Sequence, residues 1–125
     1  MGNKEEIIKN YIDGYNQFDI EKMVADFDTN VIFQNIQNGE VNMSLTGLLA
    51  VRQQAEQAAK YFSERTQTIK SFHSIGGCIE IEIDYKAILA IDLPNGLKKG
   101  QELNLTGKSI FEFDGDKITK LTDIS

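Results

Sequence analysis

Few side chains in this sequence could carry acid–base or nucleophilic chemistry, and the first of them is a lone histidine. His73 is the only histidine in the chain. Histidine is the side chain whose ordinary pKa lies nearest to neutrality, so His73 is the natural candidate for a proton-transfer base. Its even spacing from Ile69 and Ile75 predicts that the three share the inward face of a strand. The competing interpretation places His73 at a strand edge or against a backbone carbonyl, because no orienting carboxylate is evident nearby.

A second group consists of three acidic side chains and the only cysteine. Glu80, Glu82 and Asp84 are spaced by two residues, so they share one face of a strand. Because isoleucines alternate with them, we expect that face to point to solvent or to a partner rather than to hold a metal. Cys78 follows a Gly-Gly turn and has no base beside it, so we expect an inert, buried thiol. The chain contains no phosphate loop and no dinucleotide fingerprint, so we expect neither a metal nor an organic cofactor.

The elements that must position these groups are helical early in the chain and extended late. Hydrophobic periodicity predicts two helices over residues 3–27, a hairpin over 30–46, one helix over 47–62 and long strands over 66–125. The hairpin is expected to turn at Asn38-Gly39. Phe27 closes the apolar stripe of the second helix, and Thr46 is the expected N-cap of the third. This order predicts an α+β fold in which one curved, mixed or antiparallel sheet wraps over about three helices and forms a cone with an apolar interior.

Composition limits the class of partner. A chain of 125 residues fits a single domain over residues 1–125. The formal net charge of −6 argues against a nucleic-acid binder, which needs a basic patch, and against docking on an anionic membrane. The N-terminal segment is acidic and lacks an apolar signal region, and no apolar run approaches the ~20 residues of a membrane span. With a single cysteine and hence no internal disulfide, we expect a cytoplasmic protein.

Three groups of short sequence motifs follow one another between residues 5 and 123. They are Tyr11-Ile12 through Asn16 with Asp19-Ile20 and Val24-Ala25-Asp26-Phe27, then Thr46-Gly47 with Ala50-Val51-Arg52, then the segment from Ser109 to Ile118. This ordered set resembles the NTF2-like superfamily, in the branch that includes SnoaL-like polyketide cyclases and ketosteroid isomerases. The resemblance implies a cone whose open mouth leads to an apolar pocket, and a homodimer formed through the outer face of the sheet. It leaves the function open, because this fold carries isomerases, cyclases, dehydratases, transport factors and binding modules.

The resemblance also assigns three positions of a ketosteroid isomerase site. Such isomerases use a tyrosine and a protonated aspartic acid as an oxyanion hole, together with an aspartate base. Tyr11 stands at the position of the tyrosine, Asn35 at that of the base and Ser109 at that of the protonated acid. An amide has no accessible basic pKa, and serine is a far weaker acid than a carboxylic acid, so both positions depart from the pattern. We therefore predict no ordinary ketosteroid isomerase activity.

A pocket lined by aromatic, aliphatic and amide side chains is expected inside the cone. The expected ligand-binding residues are Tyr11, Phe33, Asn35, Met43, Tyr85, Leu105, Ser109 and Phe111. The spacing of the apolar members fits plain core packing as well. The expected catalytic residues are His73 as base, provided that it faces inward, and Tyr11 as the group that polarises the substrate.

These residues favour a SnoaL-like pocket protein that binds a small, largely apolar, carbonyl-bearing molecule. One hypothesis is an isomerase, cyclase or dehydratase that needs no cofactor. The other is a non-catalytic ligand-binding or dimeric interaction module on the same fold. A proton-transfer group inside the pocket would discriminate between them, and whether the protein is an enzyme stays open. Apolar residues in the outward phase of long strands, Ile88, Ala90 and Ile110, add to the expectation of a homodimer because such a patch should be covered.

Overall fold

Two helices, a hairpin and a third helix precede the long strands in the structure of the chain, which is a computed structural model that describes residues 2–94 and 96–125. The elements are α1 (Gly2–Asn16), α2 (Ile20–Val24), β1 (Phe27–Gln37), β2 (Glu40–Thr46), α3 (Leu48–Ala59), β3 (Phe62–Ile75), β4 (Cys78–Leu89), β5 (Glu102–Asp114) and β6 (Lys117–Ile124). This order confirms the predicted α+β class. It also confirms the hairpin turn, where Asn38 and Gly39 both have positive φ angles, of 54° and 81°.

The strands form one six-stranded sheet in the order β2-β1-β6-β5-β4-β3. β6 runs parallel to β1 and antiparallel to β5, so the last strand of the chain is inserted between the first strand and the long meander. The other neighbouring pairs are antiparallel. The sheet is curved and does not close, and with the three helices it forms the cone of the NTF2-like fold.

The core lies between the helices and the concave face of the sheet. Ile8 and Ile12 of α1 and Val24 of α2 pack into the same buried cluster as Ile81 and Phe111 of the sheet. Burying each such side chain contributes roughly 1.5–3 kcal/mol. Gly14 allows α1 and α2 to approach closely, because a Cβ at this position would lie 2.7 Å from the backbone nitrogen of Met23.

Three predicted boundaries were wrong. Phe27 does not belong to the second helix: α2 ends at Val24, and Phe27 opens β1 in register with Ile118 of β6. Thr46 does not cap α3, because the N-cap is Gly47, whose φ of 97° and missing side chain leave no capping hydrogen bond. The third helix ends at Ala59, and β3 begins at Phe62 rather than at residue 66 because Phe62 already pairs with Leu89 of β4.

A β-bulge changes the orientation of the single histidine. The pairing of β3 with β4 shifts register between Ile69 and Ser71, so the alternation before the bulge does not continue after it. His73 is therefore exposed and pairs with Glu80 on the outward face. The expectation that His73 faces the interior in phase with Ile69 was wrong.

No helix among the described residues is long and apolar enough to cross a membrane.

Candidate functional site

A row of polar side chains crosses the centre of the sheet on its concave face. Asn35 of β1 and Ser109 of β5 are both in register with Asp123 of β6, which lies between them. Apolar side chains continue the row on either side, with Met43 next to Asn35 and Ile81 next to Ser109. The sheet topology thus places a carboxylate, an amide and a hydroxyl side by side, although they are far apart in sequence.

Asp123 is the ionisable group of this row. The Ser109 hydroxyl donates a hydrogen bond of 2.7 Å to Oδ1 of Asp123. Burial raises the pKa of the Asp123 carboxyl to about 6, and the bond from Ser109 offsets part of that rise. A carboxyl with a pKa near the working pH is suited to both taking up and releasing a proton.

Tyr11 stands over the neighbouring part of the sheet. Its ring contacts Phe111 edge-on and stacks on Phe27, each with centroids 5.7 Å apart. Burial, and then the nearby Asp123, raise the pKa of the Tyr11 phenol well above its usual range, while Arg65 lowers it. Tyr11 therefore stays a neutral donor, and among the described residues its hydroxyl has no hydrogen-bond partner.

A cavity of about 390 Å³ opens between the helices and this part of the sheet. Its walls are mainly apolar and come from α1, α2, α3 and the strands around them; they include Val24, Phe27, Phe33, Met43, Leu45, Val51, Ala55, Ala58, Phe62 and Leu121. The polar lining includes Tyr11, Asn35, Arg65 and Asp123. An apolar cavity with a few convergent polar groups is the usual form of a small-molecule site.

A second chamber of about 220 Å³ adjoins the first and shares Tyr15, Asn35 and Asp123 with it. The Tyr15 hydroxyl donates to the Tyr85 hydroxyl over 2.9 Å at its wall. Gln67 also lines this chamber, and its buried Oε1 has no hydrogen-bond partner among the described residues. The second chamber is therefore continuous with the first through the residues that line both.

The sequence-predicted site residues divide into four groups in the structure. The 390 Å³ cavity is lined by Tyr11, Phe33, Asn35 and Met43. The second chamber is lined by Asn35, Tyr85, Leu105 and Ser109, with Leu105 exposed at its outer edge. Phe111 is fully buried beneath Tyr11 and lines neither chamber, so it supports the site without facing it. His73 also lines neither chamber, and its outward position removes the geometry that a pocket base requires.

Sequence reasoning missed two ionisable residues of the cavity. Asp123 follows the buried Leu121 by two residues, and that spacing is the signal that could have placed its side chain inward. Arg65 stands just before residue 66, where the periodicity predicts that the strand begins. In the structure, Arg65 belongs to β3 and is only 3% exposed. Within the described residues, no group of three or more His, Cys, Asp or Glu side chains is placed to hold a metal ion.

Comparison with solved structures relates this fold to known ones. A candidate polyketide cyclase from Xanthomonas campestris superposes with a TM-score of 0.82 at 16% sequence identity, covering 99% of this chain and 90% of that one. A candidate SnoaL-like polyketide cyclase from Shewanella putrefaciens gives 0.78 at 16% identity, with 99% and 90% covered. TerC, co-crystallised with polyporic acid, gives 0.78 at 14% identity, with 98% and 90% covered. Identities this low establish a shared fold alone.

Sequence comparison assigns the family. A search of curated protein sequences gives no significant match. A family model described as a SnoaL-like domain matches residues 8–121, which is most of the chain. On this match, and with a fold that agrees with it, the chain belongs to the family of SnoaL-like domains.

Proposed function

We propose that this protein binds a small, largely apolar carbonyl compound in the cavity and that Asp123 moves a proton on it, as in isomerase or cyclase chemistry. One observation carries the proposal: a carboxyl whose pKa is raised to about 6 stands at the wall of an apolar cavity. Perturbed carboxyls in such clefts are frequent at catalytic sites. The candidate polyketide cyclases among the similar structures favour the same class of substrate.

The proposed step transfers one proton from carbon to oxygen. The carbonyl oxygen of the ligand accepts a hydrogen bond from the free Tyr11 hydroxyl. The Asp123 carboxylate takes a proton from the carbon next to the carbonyl, and the C–H electron pair moves into the new carbon–carbon double bond of an enolate. Tyr11 then stabilises the enolate oxygen, where the negative charge develops. Where the ligand carries a carbon–carbon double bond next to the carbon that loses the proton, the enolate is a conjugated dienolate, and protonated Asp123 can return the proton to its far end, which completes an isomerisation.

Ser109 and Asn35 act in this proposal by positioning Asp123. Ser109 holds Oδ1 of Asp123 through its 2.7 Å hydrogen bond, so the other carboxyl oxygen remains for the substrate. Asn35 donates its own amide hydrogen to Oδ1 of Asn42 over 2.8 Å, which fixes the amide plane beside the carboxylate.

The test uses 2-tetralone, a two-ring ketone, as a probe. Its binding is measured by calorimetry, and exchange of the protons next to its carbonyl is followed by NMR in heavy water. We expect wild-type protein to accelerate the exchange and Asp123→Asn to lose about 10²–10⁴-fold of that acceleration while still binding the probe. Ser109→Ala, which keeps the carboxyl, is the matched variant and should lose less.

Two outcomes would count against the catalytic proposal. Unchanged exchange in Asp123→Asn would remove Asp123 from the step. Binding of 2-tetralone without any acceleration by the wild-type protein would favour the alternative of a non-catalytic ligand-binding or interaction module. Absence of 2-tetralone binding would count against both catalysis and ligand binding.

Homodimer formation through the outer face of the sheet is a separate proposal. Ile88, Ala90 and Ile110 are apolar and half-buried, and Ile110 lies next to Glu80 on the face that turns away from the cavity. Apolar residues on an outer sheet face favour a covering partner. Sedimentation velocity at micromolar concentration should show a dimer that Ile110→Glu dissociates. A wild-type monomer would contradict the proposal.

A further inference from the structure

Arg65 is a buried cation that forms no ion pair with any of the described residues. Its guanidinium lies between two aromatic rings, with its central carbon 3.7 Å from the ring centroid of Tyr15 and 4.5 Å from that of Phe18. Nε donates to the Tyr15 carbonyl over 2.8 Å, and Nη2 approaches the sulfur of Met23 at 3.8 Å. Among the described residues, no carboxylate lies within ion-pair distance of Arg65.

The two rings and the Tyr15 carbonyl contact the Arg65 side chain closely, but none of the described residues supplies a counter-ion for its charge. Buried charges in proteins are ordinarily paired, because removing a cation from water is costly. The Tyr15 carbonyl belongs to the last turn of α1 and supplies only a partial negative charge. A guanidinium has five N–H donors, and only two of those on Arg65 have a partner within the described residues.

Arg65 also lines the wall of the 390 Å³ cavity. Arg65 is in register with Ala87, which pairs with Leu103 near the start of β5. Asp123 pairs with Ser109 in the second half of the same strand. The two ionisable groups therefore reach one cavity from separate parts of the sheet.

From this placement we infer that Arg65 binds an anionic oxygen of the ligand, so that the ligand is a carbonyl compound carrying a separate carboxylate or ionised phenol. The inference rests on the proposed function and adds the charge of the substrate to it. A planar guanidinium suits such oxygens because it can donate two parallel, charge-assisted hydrogen bonds. The acidic group would anchor the ligand at Arg65 and present its carbonyl to Tyr11 and Asp123.

Two pairs of probes with matched shapes test the inference at about pH 8. They are 2-naphthoate against 2-naphthamide, and ionised 4-nitrophenol against its methyl ether, with affinities measured by calorimetry. We expect wild-type protein to prefer the anion of at least one pair by about 10- to 100-fold. The first pair reports a carboxylate ligand and the second a phenolate, so the pair that shows the preference identifies the source of the anionic oxygen.

Variants assign the preference to one residue. Arg65→Met keeps an unbranched side chain in the same space and should abolish the preference, whereas Arg65→Lys keeps the charge and should retain part of it. Arg52→Met is the matched control, because Arg52 is a half-buried arginine that is already paired with Glu21 and does not line the cavity. Asp123→Asn should retain the preference although it loses proton exchange, which separates this inference from the proposed function.

Several results would overturn the inference. They are equal or tighter binding of the neutral member of both pairs by the wild-type protein, an anion preference that survives in Arg65→Met, and binding of 2-tetralone without binding of either anion. The last result would leave the proposed function standing. If the Arg65 variants do not fold, the NMR resonance of the Arg65 Nε–H in wild-type protein decides, because it should shift with 2-naphthoate and stay in place with 2-naphthamide.

Discussion

The cavity has an ionisable side chain at each of two ends, and the two side chains differ in how they respond to burial without an oppositely charged partner. At one end, Asp123 lies among the polar side chains of Asn35 and Ser109 in the middle of the sheet. At the other, Arg65 lies between the rings of Tyr15 and Phe18. Both groups are withdrawn from water, and neither has an oppositely charged side chain within ion-pair distance among the described residues.

The difference is that a carboxyl can give up its charge and a guanidinium cannot. The pKa of Asp123 rises to about 6, so near neutrality a small change in its surroundings shifts its protonation. Arginine stays protonated in proteins, so Arg65 can meet the cost of burial only through dipoles, aromatic faces or a bound anion. The carboxylate end is therefore suited to chemistry and the guanidinium end to recognition.

The largest expected effect is on the free energy of unfolding, for a substitution at the carboxylate end. Phe111 is fully buried and supports Tyr11, so Phe111→Ala should lower the free energy of unfolding by about 3–5 kcal/mol. Phe18 is half-buried at the guanidinium end, and Phe18→Ala should cost only about 1–2 kcal/mol. Urea denaturation of the two variants measures both. Equal losses would contradict this expectation and show that Phe18 is as deeply embedded in the core as Phe111.

The next effect is a pH dependence of stability that belongs to Asp123. Its folded-state pKa of about 6 lies above the ~3.9 of an unfolded aspartate, so the folded protein binds more protons between these values. The stabilisation from Asp123 is thus complete below about pH 3.9 and is lost as the pH rises through about 6. The loss should be on the order of 2–3 kcal/mol.

Asp123→Asn isolates this dependence, because the amide does not titrate. Between about pH 4 and pH 7, the free energy of unfolding of the wild-type protein should fall progressively relative to that of the variant. The variant should be the more stable of the two at pH 7. Thermal or urea unfolding across this range measures the difference. A constant difference between the two proteins would mean that the carboxyl titrates alike in the folded and unfolded states.

The smallest expected effect concerns the histidine. His73 is exposed on the outward face, so His73→Gln should change neither the unfolding free energy beyond about 0.5 kcal/mol nor the rate of 2-tetralone exchange. The exchange rate should rise with pH around the pKa of Asp123, about 6, and the same curve should persist in His73→Gln. Since imidazoles as a class titrate in this range, a curve that disappears with His73 would assign the base to the histidine instead.

Regular alternation and strong turn signals made most of the fold predictable. The alternating isoleucines of residues 79–83 predict the buried face of β4, and Asn38-Gly39 predicts the hairpin. The β-bulge in β3 was not predictable, because one extra residue near Lys70 leaves no mark in a sequence of ordinary strand formers. Because of this one inserted residue, His73 points outward instead of inward as expected.

The candidate site was predictable where it depends on apolar side chains and on the family resemblance. Tyr11, Phe33, Asn35 and Met43 line the cavity because neighbouring elements bring them together locally. The spacing of Asp123 from Leu121 indicates the strand face on which it lies, but its place beside Asn35 depends on the parallel pairing of β1 with β6, which periodicity alone does not reveal. An aspartate near the end of a strand is ordinarily solvated, and Asp123 is buried because β6 lies in the middle of the sheet.

The central position of β6 also has a consequence for how the protein folds. β6 pairs with β1, which it follows by most of the length of the chain, and pairings between distant segments are slow to form. We therefore expect the helices and the β3–β4–β5–β6 meander, whose neighbouring strands follow one another in sequence, to organise first, and the pairing of β6 with β1 to form last. A chain arrested before that event would keep much of its secondary structure but would lack Asn35 beside Asp123, so slow-folding variants should lose function as an all-or-none fraction of molecules rather than by a uniform weakening of each one.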